Sequence, residues 1–264
     1  MPIFEKDGSP GCWLPTLLAA GPFSGLQGGA IAGLLTAEVE TLAASRRWGT
    51  AVSVSVAFLK PTPMGRLRTE VSVLREGGRV SFVDNRLFAD GDAEPYAVAR
   101  LTLINERRVE APALADARTE AIDPTRYPLR KIASFHGKPW MMDAMDARSG
   151  DGIAWFRQHT PMLADAPAKG LSSILGPADW AHGIARPLQN VIADPNPNLT
   201  VHLLRPAETD WIGVRPHVSW QTERGLGVGG GTILDVRGEI GSVSMAVALV
   251  PFPKPATKPE REMV

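Results

Sequence analysis

Two stretches decide the fold: VSVAFLKP at residues 54–61 and LTVHLLRP at residues 199–206. Each alternates apolar and polar or small residues, as a half-buried strand does. Each then stops at a basic residue followed by a proline, Lys60-Pro61 in one and Arg205-Pro206 in the other, an offset of 145 residues. Two further matches keep nearly the same register. Asp90-Gly91 corresponds to Arg237-Gly238, and PYAVARLTLI (95–104) corresponds to GSVSMAVALV (241–250). Three matches in one order at one offset point to an internal repeat, and a unit this long is a domain rather than a solenoid element.

Working outward from the first stretch, residues 26–44 (LQGGAIAGLLTAEVETLAA) place Ile31, Leu34, Leu35, Val39 and Leu42 at helical spacing, with Glu38, Glu40 and Thr41 as the polar stripe. So apolar a helix is expected to be wrapped by other elements rather than laid on a surface. Alternating segments follow at 50–59, 67–75, 79–88 and 95–104, separated by Pro61-Thr62-Pro63, Gly77-Gly78 and Asp90-Gly91. That is one helix followed by a four-stranded antiparallel meander. Residues 106–139 hold four prolines and many charges and read as a linker. The second half repeats the plan, with strand-like segments at 140–147 and 152–159, a helix within 169–189, and strands at 198–205, 211–220, 228–235 and 241–250. The expected organisation is a first unit at 1–105, the linker at 106–139, a second unit at 140–252 and a tail at 253–264 that reads as disordered from its proline and charge content.

Composition narrows the function classes. The 264 residues balance 28 basic against 28 acidic side chains, which argues against a nucleic-acid or anionic-membrane surface. The single Cys12 excludes an internal disulfide and points to a reducing, cytoplasmic setting. No apolar run approaches the ~20 residues that span a bilayer, and the N-terminus does not read as a signal peptide. Five scattered histidines (136, 159, 182, 202, 217) lack ligand spacing, so no metal is expected.

A long apolar helix with an antiparallel sheet curled around it is the hotdog arrangement, and two copies make a double, or tandem, hotdog of α+β class. The segments GLQGGAIAGLL (25–35), FLKPTPMGRLRTEVSVLREGGRVSFVDNRLF (58–88) and LTVHLLRPAETDWIGVRPHVSW (199–220) resemble the acyl-CoA thioesterase II family and the thioesterase-like superfamily around it. The resemblance spans roughly 20–105 and 140–250 and implies an acyl-CoA thioester hydrolase of fatty acid metabolism that needs no cofactor. Double hotdogs of this family often associate further, which allows a homodimer.

The resemblance also implies a site. Asp179, in GPADWAHGIA where the second helix is expected to begin, matches the acid that activates water in the family. A lone aspartate before a helix also serves as an N-cap. Gln27-Gly28-Gly29 opens the first helix, whose N–H groups could bind the substrate carbonyl and hold the oxyanion formed on attack. The alternative for the two glycines is close packing of that helix against the sheet.

Two positions depart from the family pattern. Asn196 stands where a hydroxyl residue is expected, and Ala246 stands where a glutamine is expected, with Ser244 on the same strand face. The amide of Asn196 can still hydrogen-bond a water. These departures keep two alternatives open: a non-catalytic acyl-CoA or lipid binder, and a hotdog hydratase or dehydratase using Asp179 and His182, which share a helix face if the helix runs through them.

Arg75, Arg79, Arg86 and Arg205 are candidate partners for CoA phosphates. Trp180, Trp211 and Trp220 are expected to fill the core. GLGVGGG (225–231) reads as a hairpin leading into a strand that passes close to other backbone, not as a dinucleotide loop.

Overall fold

The computed structural model describes residues 1–22, 25–110, 121–132, 137–167, 169–184 and 191–252, without the side chains of His182 and Ile184. The first half contains β1 (Phe4–Lys6), β2 (Cys12–Pro15), α1 (Gly28–Arg46), β3 (Thr50–Phe58), β4 (Leu67–Arg75), β5 (Val80–Ala89) and β6 (Ala97–Ile104). The second contains β7 (Leu129–Arg130), β8 (Met145–Gly150), β9 (Ile153–Gln158), α2 (Ser172–Asp179) and α3 (Ala181–Ile184). It continues with β10 (Ile192–Ala193), β11 (Asn198–Leu203), β12 (Ile212–Gln221), β13 (Leu226–Asp235), β14 (Gly238–Ala248) and β15 (Val250–Pro251).

Thirteen strands form one antiparallel sheet in the order β1-β2-β4-β5-β6-β3-β11-β14-β13-β12-β9-β8-β7. The order mirrors itself about its centre: β3, β6, β5 and β4 on one side answer β11, β14, β13 and β12 on the other. The two strands of the repeat, β3 and β11, are the ones that meet there, with Val54 opposite Val201 and Val56 opposite Leu199. Those four residues are buried on the helix side, while Ser55 and His202 alternate outward, the period-2 pattern of the sequence carried into space.

The first helix is enclosed as its composition demands, with Gly29 through Ala37 buried without a break. It ends at Arg47 in the left-handed conformation (φ 57°), a common way for a helix to stop. One residue of the expected polar stripe behaves otherwise. Glu40 is only 8% exposed, and its carboxylate turns inward to the start of α2. Leu42, expected on the apolar face, is exposed.

Several boundaries differ from expectation. β1 and β2 are too short to show as alternating runs. Residues 141–144 form a 3₁₀ turn, not a strand, because the Asp143 carboxylate accepts from the Trp140 N–H (3.0 Å) and closes the turn on itself. The helix expected within 169–189 is broken: α2 contains Pro177, stops at Asp179 and gives way to the short α3. Part of the expected linker belongs to the sheet, since β7 pairs with β8. Tyr127 and Ile122 pack on a small satellite core of Ile153, Trp155, Trp211 and Leu234. The tail at 253–264 lies outside the described residues.

Trp211 is buried, and Trp180 and Trp220 are partly so. The glycine run lies inside β13 itself, where a Cβ on Gly230 would come 2.7 Å from the Val243 carbonyl oxygen. The close backbone passage is therefore real. No helix among the described residues is long and apolar enough to cross a membrane.

Candidate active site

At the start of α1 the chain has four N–H groups with no intrahelical partner and the positive end of a helix dipole. Gln27 is the N-cap, and its side-chain oxygen accepts from the Ala30 N–H (2.8 Å). The Gly29 N–H donates to Asp179 Oδ2 (3.0 Å), a residue 150 positions further along the chain. The Gln27 amide nitrogen donates to the same oxygen, and the Asn196 amide nitrogen donates to Oδ1 (2.8 Å).

Asp179 is thus the last residue of α2, not the first of a helix. It caps no helix of its own. Its side chain crosses to α1, where N–H donors are available that the C-terminal end of α2 lacks.

The two glycines make this crossing fit. A Cβ on Gly28 would stand 3.1 and 3.2 Å from the Asp179 oxygens, and one on Gly29 would stand 2.6 Å from the Leu175 carbonyl oxygen. The close packing at Gly29 is therefore of α1 against α2, while Gly28 also packs against the sheet, where a Cβ would stand 3.1 Å from the Phe58 ring.

Burial pushes the Asp179 carboxyl up to about 6, against hydrogen bonds from Asn196, Gly29 and Gln27 that pull it down, with the charge of Asp194 adding to the rise. Asp179 is 5% exposed and Asp194 is 1% exposed.

A pocket of about 510 Å³ opens beside these groups. Leu26, Ile31, Phe58, Trp180, Pro195, Pro197 and Ala248 form its apolar wall, and Gln27, Gly28, Lys60, Thr62, Asp179, Asp194 and Asn196 supply polar groups. The sequence-derived residues Gln27, Gly28, Asp179 and Asn196 therefore converge on one cavity. Gly29 is tied into it through Asp179. Because Asp179 occupies the Gly29 N–H, the free donor at the helix start is the N–H of Gly28, which has no partner among the described residues.

Three pocket residues had no sequence signal: Asp194, Lys60 and Thr62. Only the repeat, which puts Lys60 opposite Arg205, hinted that residues 58–62 sit at an equivalent end of the sheet.

Other expectations fall away from the cavity. Ala246 donates its N–H to Asn198 Oδ1 and does not line the pocket; the β14 residue that does is Ala248. Ser244 pairs across the sheet with Thr200 and Gly230, also away from the pocket. Arg205 is held by Asp235 through both nitrogens (2.7 and 2.8 Å) and is not available to a phosphate. Arg75, Arg79 and Arg86 are exposed and line neither side of the cavity. The cation that does line it is Lys60, whose ammonium sits 4.0 Å from the centroid of the Tyr96 ring. The side chain of His182 lies outside the described residues.

Residues 20–104 match the family model of the acyl-CoA thioesterase N-terminal domain. No curated protein matches the chain. Solved structures do. A candidate thioesterase from Novosphingobium aromaticivorans superposes with a TM-score of 0.70 at 19% identity, covering 95% of this chain and 99% of its own. A hotdog-fold protein of unknown function from Alicyclobacillus acidocaldarius follows at 0.67 and 15%, covering 94% and 95%. An acyl-CoA thioesterase II from Mycobacterium marinum superposes at 0.64 and 15%, covering 94% and 96%. The fold is a hotdog fold. The sequence match makes residues 20–104 similar to the acyl-CoA thioesterase N-terminal domain, and the solved structures show the fold over nearly the whole chain.

Proposed function

We propose that the protein is a double hotdog, with units at 1–105 and 140–252, that hydrolyses acyl-CoA to a free acid and CoA. The observation that carries this reading is the buried Asp179 carboxylate held against the start of α1 in an apolar cavity. A carboxylate offers about four lone-pair sites. Gln27, Gly29 and Asn196 occupy three, two on Oδ2 and one on Oδ1. One site on Oδ1 remains for a water beside Gly28, where the missing Cβ keeps room.

In the proposed reaction, the acyl chain lies along Leu26, Ile31 and Phe58. Water bound to Asp179 attacks the thioester carbon and loses its proton to the carboxylate. The carbonyl oxygen, now an oxyanion, is held by the Gly28 N–H at the positive end of α1. When the C–S bond breaks, the CoA sulfur takes the proton back from Asp179. A value near 6 suits this role, because the group is ionised at neutral pH yet basic enough to accept a proton. Asn196 and Gln27 orient the carboxylate and need no hydroxyl to do so.

One observation favours the second reading, a non-catalytic acyl-CoA binder: β14 presents Ala248 to the cavity, a side chain unable to hydrogen-bond a water. Thiol release measured across acyl-CoAs of graded chain length decides between them. Turnover with a length optimum that is lost in Asp179→Ala supports hydrolysis. Saturable binding with no thiol release from any substrate supports the binder.

A further inference from the structure

An oxyanion is best held by two donors, and the start of α1 supplies one. The Gly29 N–H is committed to Asp179. One N–H of the Gln27 amide and one of the Asn196 amide are also committed to Asp179, and the Asn196 amide nitrogen donates as well to the Asn198 carbonyl. Among the polar residues of the cavity, Thr62 is different. It is 2% exposed and its hydroxyl has no hydrogen-bond partner among the described residues. Buried polar groups are rarely left unsatisfied, and one that lines a cavity calls for a reason.

The backbone of Thr62 is already fixed. Its carbonyl accepts from the Leu26 N–H (2.9 Å) and packs against Gly25, so the residue is held beside the segment that leads into the helix start. The fold itself does not ask for a hydroxyl there. The repeat offset of 145 carries Thr62 onto Ala207, which is buried and has no polar side-chain atom. Because Thr62 lines the cavity, a group that enters it can supply the missing acceptor.

We infer that the Thr62 hydroxyl is the second donor to the acyl carbonyl, acting with the Gly28 N–H. The inference rests on the acyl-CoA reading of the cavity. It makes Thr62 a catalytic residue, one that touches the reacting oxygen, and assigns the segment Pro61-Thr62-Pro63 a role beyond turning the chain. Trp180 Nε1 is the competing donor, since it also lines the cavity's wall without a partner.

The test uses two ligands that cannot be hydrolysed: an S-(2-oxoalkyl)-CoA, which keeps a carbonyl, and the matching S-alkyl-CoA thioether, which has none. Thr62→Val is expected to weaken the ketone about tenfold while leaving the thioether within about twofold, and Thr62→Ser is expected to restore ketone affinity. With a hydrolysable acyl-CoA, Thr62→Val is expected to lower kcat about 10²-fold with KM little changed. Unchanged ketone affinity in Thr62→Val overturns the inference. So does an equal loss for both ligands, which marks a packing role, or a selective ketone loss in Trp180→Phe instead. If the wild type binds both ligands but releases no thiol from any acyl-CoA, the hydrolase reading fails and Thr62 is still judged by the ketone-to-thioether ratio. If neither ligand binds, both fall.

Discussion

The two long-range clasps of this molecule are built alike and end differently. At the start of α1 a carboxylate arrives from α2; at the start of α2 a carboxylate arrives from α1. Glu40 accepts from the Leu171 N–H (2.6 Å), the Ser172 N–H (3.3 Å) and the Ser172 hydroxyl (2.6 Å). A Cβ on Gly170 would stand 2.6 Å from both of its oxygens, so a glycine makes room for the acid here as Gly28 does at the other end. Burial raises the Glu40 carboxyl as it raises Asp179.

The partners differ. Those of Glu40 all belong to the first residues of the helix it holds, whereas Asp179 is also gripped by two side-chain amides, Gln27 and Asn196. The repeat positions sharpen the contrast: Arg205 is locked on Asp235 where Lys60 faces a cavity, and Ala207 stands where Thr62 keeps an unmatched hydroxyl. A carboxylate at a helix start is a structural device by default. It becomes a candidate for chemistry when the groups around it leave hydrogen-bonding capacity unfilled.

The largest effect expected from breaking this contrast is at Asp179. Asp179→Ala should lower acyl-CoA turnover by about 10²–10⁴-fold, read as thiol release, while Glu40→Ala should leave turnover per folded molecule within about threefold. Next comes Arg205→Ala, which removes the cation from the fully buried Asp235 side chain and leaves it only the Glu208 and Arg237 N–H groups. It should cost about 3 kcal/mol in denaturant unfolding, whereas Lys60→Ala should cost no more than about 0.5 kcal/mol and should weaken CoA binding instead. Glu40→Ala should cost about 2 kcal/mol, because it leaves the N–H groups that open α2 without their acceptor.

The smallest effect is in pH. As the proposed base, Asp179 must be ionised, so kcat/KM should fall tenfold per unit as pH drops below about 6. Stability runs the other way. The folded state holds the Asp179 proton more tightly than the unfolded chain, with its ordinary value of 3.8, so stability should decline as pH rises from about 4 to about 6. The same scan on Asp179→Ala should show a shallower decline; an unchanged slope would remove Asp179 as its source.

The strands and their offset were legible because alternation and the closing basic-proline pair are local signals. The partnership of β3 with β11 is a tertiary pairing that those local signals do not name. Three features escaped for one physical reason: they depend on groups far apart in the chain. Asp179 was expected as the water-activating acid with an N-cap as the alternative, and the local segment offers no sign that its donors lie 150 residues upstream. Glu40 read as part of a solvated stripe because its partners lie more than 130 residues downstream. Pro177 inside α2 is tolerated in an eight-residue helix that tertiary contacts hold in place, an outcome local propensity argues against. Asn196 reached the site although its residue type departs from the family pattern, since its amide donates to Asp179 from the position a hydroxyl would occupy.

The seam between β3 and β11 has a consequence for folding fidelity. Successive side chains along a strand point to opposite faces, so a one-residue slip in pairing exchanges inside for outside. At this seam Val54, Val56, Leu199 and Val201 all face one shared core. A misaligned pairing therefore exposes the apolar side chains of one strand and buries Ser55 or His202. Because β3 and β11 feed the same core, the correct register is the one that keeps the apolar side chains of both strands inside it together.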